Sequence, residues 1–215
     1  MTEPMREPTT QPMTQPDGIV RLDARAVRAS VDLVSGVGEA DLARPTPCAG
    51  WTLADLLEHM TVQHDGFAAA AAGQGADLER WRPVHHEPSV LVTAYTNAAS
   101  RVLDAFGADG VLDRTFCLPE ISTAIEFPGR QAIGFHFIDY VVHGWDVARS
   151  LGLGYALEPG LLAPALEIAA AVPDGARRLS PGAAFAPRIA PAADGDTLDT
   201  ILALLGRRSE WPALR

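Results

Sequence analysis

Cysteine is scarce in this 215-residue chain: Cys48 and Cys117 are too few for a disulfide framework. Positive charge is short as well. With 17 basic and 27 acidic residues the formal charge is -10, which repels polyanions and removes the electrostatic attraction on which nonspecific nucleic-acid binding rests. No apolar run reaches the roughly 18 residues that a membrane span requires, so neither nucleic acid nor membrane is expected as a partner. Aromatic residues make up only 7%, leaving Ala, Leu and Val to fill a core suited to closely approaching helices. Also missing are a P-loop, a Rossmann fingerprint, an H-E-x-x-H pair and a G-x-S-x-G elbow. No secretory leader is visible among residues 1–18, which are polar and broken by Pro4, Pro8, Pro12 and Pro16. The expectation is a cytoplasmic protein with a disordered tail over 1–17 and one domain over 18–215.

What is present is helical periodicity. Val20, Ala24, Val27, Val31 and Val34 recur at helical spacing until Gly36 and Gly38. After a proline-rich loop, Thr52 offers an N-cap with Asp55 in the first turn, predicting a second helix from Leu53 to about Ala72. Pro88 opens a third, with Leu91, Tyr95, Ala98, Val102 and Phe106 on one face. Residues 111–127 predict an extended excursion or hairpin. A fourth helix runs from Arg130 to Leu151, ended by Gly152. A fifth spans Leu161 to Val172, and a C-terminal extension from about 173 carries a short helix near Leu198 to Leu205.

The fourth helix holds the chemistry. It is apolar almost all round, as a helix inside a bundle must be, except for one arc carrying His136, Asp139, His143 and Asp146. Buried imidazoles and carboxylates have to be paired, hydrogen-bonded or metal-bound. Asp139 and His143 stand four apart and project side by side. They form either a plain buried ion pair or two ligands of a divalent ion whose third ligand comes from another helix, and His59 on the second helix is the candidate. His136 is then a fourth ligand or orients Asp139 from behind, while Asp146 caps, pairs with an arginine or braces the helix. His64, about 140° around the second helix from His59, reads as solvated, as do His85 and His86. Trp51 and Trp145 read as core anchors, and Cys48 as a small buried residue with no identifiable histidine partner.

Two stretches together carry a resemblance. Thr46-Pro47-Cys48-Ala49-Gly50-Trp51-Thr52-Leu53-Ala54-Asp55-Leu56-Leu57-Glu58-His59, followed by Asp139-Tyr140-Val141-Val142-His143-Gly144-Trp145-Asp146-Val147-Ala148, resembles the mycothiol-dependent maleylpyruvate isomerase-like metal-binding proteins of the DinB-like superfamily. The segment from Phe185-Ala186-Pro187 to Gly206-Arg207 resembles their C-terminal extension. The resemblance implies an all-α, DinB-like four-helix bundle with a C-terminal extension and a divalent metal at one end, held here by His59, Asp139 and His143. Asp139 stands where the isomerase has a longer Glu. Zinc is the metal implied first, with nickel, iron or manganese as alternatives. Mycothiol is implied as thiol co-substrate, a small molecule as substrate, and a homodimer as assembly.

The leading functional expectation is a metal-dependent thiol S-transferase or isomerase acting on a small electrophile, with His136 or Asp146 moving a proton. A metal-dependent hydrolase, a non-catalytic metal-stabilised binding or stress-response module, and an iron-based oxygen chemistry are the other readings.

Overall fold

The computed structural model describes residues 18–180 and 183–212; the tail expected over 1–17 lies outside them. Four long helices make the bundle: α1 (Gly18–Val34), α2 (Leu53–Ala71), α3 (Pro88–Phe106) and α4 (Gly129–Ser150). Two further helices follow, α5 (Pro159–Ala171) and α6 (Thr197–Leu204). The all-α class and the four-helix bundle are therefore as expected, with boundaries within a few residues of those the sequence predicts.

Local chemistry sets those boundaries. The Thr52 side chain accepts a hydrogen bond from the Asp55 backbone N–H at 3.3 Å, and Asp55 accepts one from the Thr52 N–H at 2.8 Å. This reciprocal cap satisfies two donors that the start of α2 would otherwise leave bare. Pro88 and Pro159 begin α3 and α5, where a missing N–H costs nothing. Gly152 takes a left-handed φ of 74° after α4 and lets the Leu153 N–H return to the Ala148 carbonyl at 2.8 Å.

In the bundle α1 lies along α4, and α2 lies along α3. Leu56, Leu57, Met60, Tyr95, Phe137 and Val141 fill the main core. A second apolar cluster joins Phe67, Trp81, Phe106, Phe116, Phe127 and Ile133. The excursion over 111–127 resolves into a 3-10 turn at Val111–Asp113 and two antiparallel two-residue strands, β1 (Thr115–Phe116) and β2 (Phe127–Pro128), pairing Phe116 with Phe127. Their buried phenylalanines pin residues 117–126 across the bundle. Trp81 presses onto α2 at Gly66, where a Cβ would come within 2.4 Å of its ring.

One anchor differs from expectation. Trp145 is buried, but Trp51 is 36% exposed and stands over the His59 ring at 4.9 Å between centroids; it walls a site rather than filling the core. No described helix is long and apolar enough to cross a membrane.

Candidate metal centre

His59 from the second turn of α2, and Asp139 and His143 from adjacent turns of α4, converge so that one donor atom of each lies within 4.8 Å of the others. His143 Nε2 is 3.4 Å from Asp139 Oδ1, and its ring meets the His59 ring edge-on at 5.2 Å. Two imidazoles and a carboxylate are the donor set that zinc and its neighbours among the divalent transition metals take, with the remaining positions left open.

The other ring nitrogen of His143 is fixed. Nδ1 donates to Asp146 Oδ2 at 2.9 Å, since a carboxylate can only accept, so Nε2 is the nitrogen turned toward His59 and Asp139, and an ion bound there would displace its proton. Asp146 Oδ2 also accepts from Arg207 Nη2 at 3.1 Å and from Cys48 Sγ at 3.3 Å. Burial alone would lift the Asp146 carboxyl, but Arg207 first and then His143 hold it below its usual range. A carboxylate behind a ligating imidazole orients the ring and raises its basicity. Burial works against a charge on His143, yet Asp139, Asp146 and Cys48 outweigh it and hold the ring's proton up to about 10. Burial and the neighbouring His143 push His59 down to about 4, leaving its lone pair free at neutral pH. Cys48, His143 and Asp146 also have donor atoms within 4.8 Å. The Arg207 guanidinium, which sits directly on Asp146 and 3.5 Å from Cys48 Sγ, opposes a cation there.

His136 is fully buried, and its bonds run elsewhere than to Asp139. Nδ1 donates to Asp23 Oδ1 at 2.7 Å, and Nε2 lies 3.1 Å from His64 Nδ1. The solvated position expected for His64 is corrected: it is completely buried, stacked on Tyr140 at 4.0 Å. Tyr140 in turn donates to the Met60 carbonyl. His136 Nε2 and His64 Nδ1 share one hydrogen bond, and His64 Nε2 has no hydrogen-bond partner among the described residues. Burial and the adjoining His136 hold His64 well below its ordinary value, so it is neutral.

The centre opens onto a cavity of about 1960 Å³. His59, Asp139, His143, Cys48, Trp51 and Arg207 line its inner part. Gln63, one turn beyond His59 on α2, is buried and donates to Glu120 Oε2 at 2.5 Å; both side chains line the same cavity. Arg21, Arg130 and Arg177 stand on its rim. Arg207, Gln63 and Glu120 are absent from the residues that sequence reasoning selected. Only Gln63 had a local sign, four residues after His59; the others reach the cavity through contacts distant in the chain.

The chain has recognisable relatives. Residues 24–148 match the family described as the mycothiol maleylpyruvate isomerase N-terminal domain. Two uncharacterized proteins of Mycobacterium tuberculosis, Rv0738 of strain H37Rv and MT0763 of strain CDC 1551, are each 32% identical over 187 residues, covering 85% of this chain and 94% of theirs. The crystal structure of the mycothiol-dependent maleylpyruvate isomerase shares the fold with a TM-score of 0.55 at 14% identity, over 73% of this chain and 68% of that one. A point mutant of that enzyme matches with the same TM-score at 13% identity. From the capped second helix to the polar arc of the fourth, the chain belongs to the mycothiol maleylpyruvate isomerase N-terminal domain family.

Proposed function

We propose that the protein binds one divalent ion, zinc foremost, through His59 Nε2 or Nδ1, Asp139 and His143 Nε2, and acts as a thiol S-transferase or isomerase on a small electrophile. The observation that carries this reading is the convergence of three metal-type donors on a cavity wall, with His143 already aimed by Asp146. A closed structural site needs a fourth protein ligand, and among the described residues no other His, Cys, Asp or Glu joins these three. That favours catalysis over a purely structural ion.

When bound, such an ion lowers the pKa of a coordinated thiol so that thiolate is present at neutral pH. The rest falls to the chain. Trp51 covers His59, Arg207 keeps Asp146 charged, and the mostly apolar cavity walls give the electrophile a surface to pack on. Mycothiol is the thiol we infer, because the matched family and the structurally similar isomerase are both named for it. The guanidiniums of Arg21, Arg130 and Arg177 suit an electrophile that carries a carboxylate. His136, bonded to Asp23 and His64, contributes rigidity in this reading; Asp146 contributes orientation rather than proton transfer.

Metal analysis of untagged protein tests the reading. The expected content is about one equivalent of a divalent ion, falling to near zero in His59→Ala. Native protein with less than about a third of an equivalent, unchanged by that substitution, would sink it.

A further inference from the structure

The segment between β1 and β2 places one acidic side chain, the exposed Glu120, along the cavity, and its backbone is closely held. Leu118 is buried, and its carbonyl accepts from the Ile121 N–H at 3.0 Å and the Ser122 N–H at 3.0 Å. This closes a turn with Pro119 in its second position, where the proline ring pre-sets the backbone. Glu120 is therefore third in a proline-locked turn hung from a buried leucine. The turn is held from behind as well: a Cβ at Gly75 would lie 2.2 Å from the Cys117 carbonyl, so the strand of chain leading to Glu120 lies directly on the end of α2.

The side chain is held too. Gln63, buried on the same face of α2 as His59, spends its amide N–H on Glu120 Oε2. Oε1 has no hydrogen-bond partner among the described residues and belongs to a residue lining the cavity that His59, Asp139 and His143 share. Partial desolvation lifts the carboxyl above its ordinary value; Gln63 opposes the lift and the charge of Asp139 adds to it. Asp146 does not line the cavity, its Oδ2 being taken by His143, Arg207 and Cys48 and its unpartnered Oδ1 being buried, while the two ring nitrogens of His143 face Asp146 and Asp139.

We propose that Glu120 is the proton acceptor for the incoming thiol and the donor that returns that proton to carbon. This rests on the thiol reading above. The thiol S–H bond breaks as its proton passes to the Glu120 carboxylate. The sulfur lone pair then forms an S–C bond to the electrophile, whose double-bond pair shifts to the neighbouring carbon and collects the proton from Glu120. Thiol adds across the double bond, Glu120 ends as carboxylate, and nothing is oxidised or reduced. Gln63 is the positioning residue.

Proton counting on binding tests this without turnover. Zinc-loaded protein is titrated with mycothiol by calorimetry at pH 7 in two buffers of different ionisation enthalpy, which gives the protons released per thiol bound. The wild type is expected to release fewer protons than Glu120→Gln, because Glu120 takes up part of the thiol proton. Glu120→Gln, which preserves the shape and a partner for Gln63, is expected to release about one. Glu120→Asp is expected to stay near the wild-type count and guards against a folding defect in the glutamine variant. Equal release from wild type and Glu120→Gln overturns the role of Glu120 while leaving the thiol reading intact. Absence of mycothiol binding to zinc-loaded wild type overturns the thiol reading, and the proposal with it.

Discussion

His64 and His136 make the sharpest case at the scale of single residues. Both rings are buried, share one hydrogen bond and stack with Tyr140, and only Asp23 gives them charge balance. Because burial holds His64 neutral, the folded chain takes up its proton far below the pH at which the unfolded chain does. Below about pH 6.5 the unfolded state binds the extra proton, so stability rises with pH there and is lost on acidification, by up to about 1.4 kcal/mol per pH unit. Denaturant melts of His64→Phe between pH 5 and 8 should show a shallower slope than wild type. The same variant should be about 1–3 kcal/mol less stable at pH 8, where His136 is left without its partner. An unchanged slope would assign the acid sensitivity elsewhere. The arc of polar residues on α4 was readable from spacing; the burial of His64 was not. His64 lies on the inward face of α2 against Tyr95 of α3 and His136 and Tyr140 of α4, while Trp81 covers another side at Gly66, so α2 is buried on more than one face and no single apolar stripe marks the inward arc.

Helix ends were the most readable features at the scale of elements, because a cap acts within four residues: Thr52 with Asp55, Pro88, and Gly152 each satisfy or stop the backbone beside them. Connections were least readable. Residues 111–127 are interrupted by Asp113, Pro119 and Glu120, which break any period, and the two short strands form where Phe116 and Phe127 share one apolar cluster. Gly75 is the point where that segment and α2 touch. Gly75→Ala should force the Cys117 carbonyl aside, costing about 1–3 kcal/mol in thermal or denaturant unfolding. It should also free the turn bearing Glu120, seen as faster amide exchange at Ile121 and Ser122, whose N–H groups close on Leu118. A variant with wild-type stability and exchange would show that the approach is not tight in solution.

For the whole molecule, the bundle divides into a pair formed by α1 and α4 and a pair formed by α2 and α3, and the three donors straddle the division. An ion at His59, Asp139 and His143 is thus a tie between the pairs. Binding only to the folded state stabilises it by about 4 kcal/mol when the free ion is about a thousandfold above its Kd, equivalent to roughly 8–16 °C for a chain of this size. Adding a chelator should lower the midpoint of wild-type melting by that order and leave His59→Ala unmoved; equal shifts in both would place the ion elsewhere. The proposed ligand trio was within reach of the sequence because two of its members sit on one helix and the third follows a cap. The residues behind it were not, since Cys48 and Arg207 meet Asp146 across 98 and 61 positions. That separation has an order in time. Asp146 and His143 are synthesised with α4, whereas Arg207 comes after α6, so on a nascent chain the aspartate that aims the ligand waits without its guanidinium. The polypeptide beyond the bundle thus supplies the last of the support behind His143: Asp146 bonds the ring from within α4, and the guanidinium that holds that carboxylate charged comes from past α6.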